Sequence, residues 1–421
     1  RTVHTGLLEY KNVYRPARVI SYDKESGELV LHNYMDFDNL KDYVKISYEL
    51  TQDGLLIGKG KLAEVSVVPH SEGKTNLQVN VPENGKCYLK LTYHLKKEMP
   101  LLEEDYILGF DEIEVSQKDA KCQLAEKWVE KTVTDSELQV SEDDTQIHIK
   151  GREFAYTIDR RTALFTEMKF AGREYLNHPM ELNIWRAPTD NDMYIKSEWK
   201  KAHYDKAYTR AYTTEVVQGK HGVKITSHAS VVAETVQKIL DVTITWKIEA
   251  AGKIDADIAV TKDDEFPDLP RFGVRMFLDK KLSAVRYFGM GPQESYCDKH
   301  QAASHGLYRA DVGDLHEDYI RPQENGSHYD CEYVELNNSR YGIVVSAENA
   351  FSFNASYYTQ EELEKKTHNY ELTESDSVVF CVDYALNGIG SNSCGPVVLE
   401  QYRFDDVLFR FQFTLIPYIK G

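Results

Sequence analysis

The sequence predicts an all-β chain, and three observations carry that expectation. Short runs of alternating apolar and polar residues recur from Ala17 to the end. Turn signals such as Asp53-Gly54 and Glu83-Asn-Gly85 separate them, and helical periodicity is scarce. At 421 residues the chain exceeds one ordinary sandwich and allows two or three domains.

Residues 1–15, RTVHTGLLEYKNVYR, have too little apolar periodicity for a domain and read as a linker. Between 16 and 115 the pattern is short strands. Ala17–Tyr22 and Glu28–Asn33 mix alternation with apolar runs, while Val44–Leu50 and Cys87–Tyr93 alternate cleanly. About seven strands in about 100 residues suggest an immunoglobulin-like β-sandwich. Residues 116–144 form a charged connector in which Leu124, Trp128 and Val129 suit either a helical turn or contact with a neighbouring sheet. Proteolysis is expected to cut there first. Strands resume at 145 and run to 421. Val242–Ile248 and Ile254–Ile258 alternate strictly, and Leu408–Leu415 carries phenylalanine at period two. That many one-sided strands need two large packed sheets. The best helical turn, Glu361–Lys366, reads as a solvated surface.

The net charge is −18, with no basic stripe, which argues against nucleic acid and against an anionic membrane surface. No apolar run is long enough to span a bilayer. The chain starts at Arg1 without a Met or a signal-like segment, as a piece of something longer would. Six scattered cysteines include no C-x-x-C, so zinc and thioredoxin-like chemistry are not expected. Free, mostly buried thiols are.

The chain is organised around Ile184-Trp-Arg-Ala-Pro-Thr-Asp-Asn-Asp192. Trp185 offers a flat apolar face and Arg186 a fork of donors. Asp190, Asn191 and Asp192 are short polar arms, and Pro188 stiffens the turn. Such a set suits the rim of a sugar site. It equally suits a polar turn in which Arg186 pairs an Asp, the commoner fate of these residues. Gly289-Met-Gly291 and Gly388-Ile-Gly390 are not phosphate cradles, because no helix follows either. They read as turns needing positive φ or close approach. Ser304-His305 and Ser327-His328 are sequence neighbours only and make no triad.

Four blocks in order carry a resemblance. They are RAPTDND (186–192), Phe288-Gly-Met-Gly-Pro-Gln-Glu-Ser-Tyr296, Tyr319-Ile-Arg-Pro-Gln-Glu-Asn-Gly326 and Gly388-Ile-Gly-Ser-Asn-Ser-Cys-Gly-Pro396. Together they closely resemble the C-terminal part of the large LacZ-type beta-galactosidases of glycoside hydrolase family 2. The resemblance implies an immunoglobulin-like domain followed by the small-chain supersandwich, a fold shared with galactose mutarotases. It also implies that residues 1–15 lead out of a catalytic barrel lying upstream. The parent would hydrolyse terminal β-D-galactosides with retention, using two glutamates of that barrel. Retaining chemistry needs an acid and a nucleophile about 5 Å apart. The barrel motifs N-E-S-G and E-Y-x-H-A-M-G-N are absent here, so this chain alone is expected to be inactive, with no catalytic residue of its own. Glu294 and Glu324, each following Pro-Gln, then read as structural acceptors of backbone N–H bonds in tight turns.

In the family two pieces of this region approach the sugar: the loop after D-N-D, here Met193–Trp199, and the loop after G-x-G. The resemblance places Asp190, Asn191, Asp192, Met193, Tyr194 and Cys394 on that rim. Tyr194 stands where a glycine occurs in relatives. Cys394 matches a tryptophan that forms an apolar platform, and Tyr194 or Trp199 are candidates to refill that surface. His328 and Lys299 stand where arginines are usual, which weakens bidentate pairing. The chain needs no cofactor of its own. The parent family uses magnesium and sodium, with ligands mostly outside this region. Expected partners are the upstream barrel, a galactoside in the parent, and further copies in a homo-oligomer. The compartment stays open between cytoplasm and periplasm. Two alternatives remain: a stand-alone carbohydrate-binding module, tested by titration with galactose or lactose, and a mutarotase-like sugar epimerase, tested by polarimetry.

Overall fold

The computed structural model describes residues 3–124 and 138–420, and its elements are overwhelmingly β. The connector residues Trp128 and Val129 lie outside that range. The chain separates into two compact units. One gathers Arg1–Leu124, Met290–Pro292 and His300–Tyr308; the other gathers Ala125–Gly289, Gln293–Lys299 and Arg309–Gly421. No helix among the described residues is long and apolar enough to cross a membrane.

The first unit opens with a helix, Thr5–Val13, followed by seven strands in sheets of three and four. Ala17–Tyr22, Glu28–Asn33 and Glu72–Asn76 form the smaller sheet. Val44–Gln52, Leu55–Lys61, Cys87–Leu95 and Ile107–Glu114 form the larger. Their alternation sends Leu29 and Leu31 from one sheet, and Ile46, Leu50, Leu89 and Leu91 from the other, into one core. Asp53 and Gly54 both take positive φ, 47° and 75°. A two-residue hairpin turn demands this, and it explains the dipeptide.

The second unit is built on a long antiparallel path of nine strands. In order these are Leu176–Asn183, Arg271–Asp279, Ser377–Leu386, Tyr341–Ser356, Leu408–Ile419, Ile254–Lys262, Leu240–Glu249, Gly222–Val232 and Tyr208–Gln218. A five-stranded sheet from residues 139–174 packs on it. Phe409, Phe411, Phe413 and Leu415 face inward at period two, as do Val242, Ile244, Trp246 and Ile248. Trp246 joins the sheets. Its ring meets Phe165 edge-on at 4.9 Å and Phe413 at 6.4 Å, and its Nε1 donates to Ala163 O at 2.8 Å. Each edge-to-face pair adds about 0.5–1.5 kcal/mol beyond area burial.

Two local expectations need correction. Residues 193–199 are not an open loop: a 3₁₀ turn at Asp190–Asp192 leads into a helix, Ile195–Lys201. Ile195 and Trp199, four apart, share its inward side. The helix Gln360–Lys365 is only partly a solvated surface, because Gln360 is buried and both Gln360 and Glu361 accept from Arg275.

Candidate functional site

The strand Leu176–Asn183 ends where the Asn183 side chain accepts from Trp185 N at 3.0 Å and turns the chain. Arg186 follows and is completely buried. Its Nη2 and Nε donate to Asp192 at 2.7 and 3.2 Å. Its Nη1 donates to Asn387 O and its Nη2 also to Gly388 O at 3.1 Å. Asp192 in turn accepts from Thr189 N and Oγ1 at 2.8 and 3.1 Å, closing the capping box that shapes the 3₁₀ turn. Burial works against the guanidinium's charge, but Asp192 outweighs it and keeps Arg186 protonated. Arg186 thus pairs Asp192 inside a polar turn.

Behind this pair lies a second one. Arg271 Nε reaches Asp383 Oδ1 at 3.1 Å and its Nη1 reaches Glu324 Oε1 at 2.9 Å, all three residues being buried. Burial raises both carboxyls above their ordinary range, with one guanidinium pulling back on the two of them. Glu324 is more than a turn acceptor, since its carboxylate pairs the Arg271 guanidinium while the Ala187 backbone N–H also favours its charged form. Its own N–H donates to Ala187 O at 3.0 Å, which ties its block to Arg186's.

Glu294 does accept a backbone donor, Gly326 N at 2.9 Å. Lys299 Nζ lies 2.6 Å from its Oε1, and Tyr319 OH donates to the same oxygen. Burial pushes this carboxyl up, but Lys299, Tyr319 and the Gly326 N–H together hold it below the usual glutamate range. A single ammonium does here what a bidentate arginine would do. His328 is buried among rings, stacked on Phe353 at 5.0 Å and tilted against Tyr287 at 4.5 Å.

Above these pairs two loops are laced together. Asn191 Nδ2 donates to Gly390 O at 2.6 Å, and its Oδ1 accepts from Ser393 N and Oγ at 3.3 and 2.8 Å. Asp298 holds the loop from the other side, accepting from Ile389 N at 2.9 Å and Gly390 N at 2.7 Å. Gly390 needs its glycine, with φ at 67° and a Cβ that would meet Val398 at 2.7 Å. Asp190 exchanges two bonds with Gln323, from its N to Oε1 at 3.1 Å and from Nε2 to its Oδ2 at 3.2 Å. The structure thus brings Asn191 and the 390–394 segment together from about 200 residues apart.

Cys394, Met193 and Tyr194 are exposed on this ledge, while Cys381 is buried. Asp192, expected on the rim, sits beneath it, because its carboxylate is taken by a buried guanidinium. Trp199 is not available as a platform. It is 0 % exposed, donates to Asp268 O at 2.8 Å, and meets Trp185 edge-on at 6.2 Å.

Sequence reasoning missed Arg271, Asp383, Gln323 and Asp298. Gln323, inside the third block, and Asp298, two residues beyond the second, had local signals; Arg271 and Asp383 had none. No group of His, Cys, Asp or Glu among the described residues is arranged to hold a metal ion.

Comparison with known proteins agrees with the blocks. The family model described as beta galactosidase small chain matches residues 150–415, and beta-galactosidase domain 4 matches residues 29–116. A beta-galactosidase of Actinobacillus pleuropneumoniae is 42% identical over 99% of this chain, and one of Staphylococcus xylosus is 30% identical over 99%. The alignments cover 40% and 41% of those proteins, so the chain spans about two fifths of their length. Among solved structures, a galactose 1-epimerase from Lactobacillus acidophilus NCFM aligns at a TM-score of 0.36 with 9% identity, covering 69% of this chain and all of that one. The small-chain match takes in well over half of the residues, and the chain belongs to the beta-galactosidase small-chain family.

Proposed function

We propose that this chain is the C-terminal, non-catalytic part of a retaining beta-galactosidase of glycoside hydrolase family 2. Its first unit is an immunoglobulin-like sandwich and its second a supersandwich. The acid and the nucleophile come from an upstream barrel, as do most ligands of the magnesium and sodium that the parent uses. Here the second unit supports that barrel and lends its ledge, with Asp190, Asn191, Met193, Tyr194 and Cys394, to the rim around a galactoside. The assembly is a homo-oligomer.

The observation that supports this best is the state of the two candidate glutamates. Glu294 is neutralised by Lys299 and Glu324 by Arg271, both buried, so neither is placed to attack a sugar or protonate a leaving group. The ledge, by contrast, is prebuilt and exposed. The test is hydrolysis of a chromogenic β-galactoside by the purified chain. No turnover is expected. Turnover that survives rigorous purification and disappears in Glu294→Gln or Glu324→Gln overturns the reading. Barrel motifs in the coding sequence before Arg1 would support it independently.

A further inference from the structure

A cleft of about 470 Å³ opens within the second unit, where two irregularities of the sheet form two of its three walls. The strand Tyr341–Ser356 pairs with Leu408–Ile419 over residues 341–346, then with Ser377–Leu386 over residues 352–356. Residues 347–351 bridge the change of partner, and Asn349 to Phe351 form one wall. Opposite, the strand Ser327–Asn337 slips register between His328 and Cys331, turning Tyr329 and Asp330 out of the ladder at the cleft edge. Asp330 takes a φ of 53° there. Bulges of this kind re-aim side chains and are over-represented beside binding sites. The third wall is the end of Ser377–Leu386 with the segment 401–406.

The chemistry of the walls is mixed in a particular way. Tyr384 is an aromatic face fixed from behind by Phe409, stacked at 5.0 Å and 16°. Its hydroxyl makes no hydrogen bond among the described residues. Arg403 is anchored through Nε to Val398 O at 3.1 Å, which leaves its two terminal nitrogens free of hydrogen bonds and ion pairs among the described residues. Arg410 is not available, since both of its forward donors are closed on Asp257. Asp406 has no hydrogen-bonded partner among the described residues, and burial with the neighbouring Asp405 holds its carboxyl above the ordinary range. At the floor, Ser327 is 1 % exposed and its Oγ is without a partner.

These features select a ligand class. Two carboxylates, Asp330 and Asp406, against one available guanidinium disfavour a phosphate or other anion. No donor cluster among the described residues suits a metal ion. An apolar molecule would leave the carboxylate, guanidinium and buried hydroxyl desolvated and unpaired. A molecule with an apolar ring face and neighbouring hydroxyls meets all of them, and the volume lies in the range of small-molecule sites. We propose that this cleft is a binding site for an uncharged saccharide, a hexose or a hexose-ended disaccharide, held over Tyr384 and hydrogen-bonded by Arg403, Asp406 and Ser327. It is distinct from the rim that carries Tyr194. Its walls at Leu386 and Gln401 are the two roots of the loop that bears Cys394.

The experiment is saturation-transfer NMR and calorimetric titration of the whole chain with D-galactose, D-glucose and lactose. Binding at about 1 mM is expected for at least one of them. Arg403→Gln and Asp406→Asn, both at the cleft mouth, should each weaken it roughly tenfold by removing a charge-assisted bond. Tyr384→Ala should abolish transfer to the ring protons, and Tyr370→Ala, at an exposed tyrosine outside the cleft, should leave binding unchanged. The proposal is overturned by no transfer from any of the three sugars at about 20 mM. It is equally overturned if Arg403→Gln and Asp406→Asn bind like the parent, if Tyr370→Ala removes binding, or if inorganic phosphate displaces the sugar.

Discussion

Removing the Asp192 carboxylate leaves the most deeply placed cation of the ledge without its counter-charge. Arg186 is 0 % exposed and the Asp192 side chain 3 %, so solvent does little to screen the pair. Losing one partner of a buried ion pair costs about 3–5 kcal/mol, because the other charge stays buried. Arg186 keeps two carbonyl acceptors, Asn387 O and Gly388 O, which argues for the lower end. Asp192→Ala also removes the capping bonds to Thr189, which restores about 1 kcal/mol to the loss. A total near 4 kcal/mol lowers the melting temperature by roughly 8–16 °C for a unit of this size.

Tryptophan fluorescence reads this change selectively. The four tryptophans are Trp128, Trp185, Trp199 and Trp246, and none lies in residues 1–124. Asp190→Ala is the control, since exposed Asp190 bonds only the half-buried Gln323 and should cost less than about 0.5 kcal/mol. If Asp192→Ala melts within 1–2 °C of the parent, roughly the effect of a surface substitution, then the pair is not what holds this turn. A double replacement, Arg186→Met with Asp192→Leu, should recover part of the loss, because no lone charge remains.

Three further outcomes follow from the same geometry. Asn191→Ala should speed amide hydrogen exchange in residues 390–394 while moving the melting temperature little, since it frees a surface loop; unchanged exchange there would mean that Asp298 alone holds it. Thiol reagents should label Cys394 promptly in the native chain and leave Cys381 protected until unfolding, because burial raises the Cys381 thiol to about 11. Glu294 is held below the ordinary glutamate range, so it adds stability above the unfolded pKa of about 4.3 that is lost as pH falls through the lower folded value. Glu294→Gln should therefore show a flatter acid limb between about pH 5 and pH 3, and an identical limb would assign acid sensitivity elsewhere.

What the sequence made legible was local. Alternation at period two is a property of neighbours, so the inward phenylalanines of 408–415 and the core of 242–248 could be read directly. Asp53-Gly54 could be read because the turn's dihedrals restrict the residue type on the spot. Arg271 with Asp383 could not, since their strands pair across 112 positions and neither lies in a motif. Met193–Trp199 was misread for a related reason. The resemblance alone makes it a loop, and a helix of seven residues offers one i,i+4 pair, Ile195 with Trp199, as its whole apolar signal.

The four motif blocks are one polar assembly rather than four sites, because each satisfies another's backbone. Arg186 of the first serves the carbonyls at the start of the fourth. Glu324 of the third donates its N–H to Ala187 of the first. Glu294 of the second accepts from Gly326 of the third, and Asp298, just beyond the second, accepts from Ile389 and Gly390 of the fourth. Irregular segments between strands carry backbone donors and acceptors with no ladder to join, and burying them unpaired would cost about 1–3 kcal/mol each. Charged side chains can serve them only if their own charges are balanced, which explains why Arg186, Arg271 and Lys299 each face a carboxylate. The result is a rigid base under a small exposed ledge. Within it Asp192, Glu294 and Glu324 are each engaged by a cation, so none of these three carboxylates is free to act as acid or nucleophile.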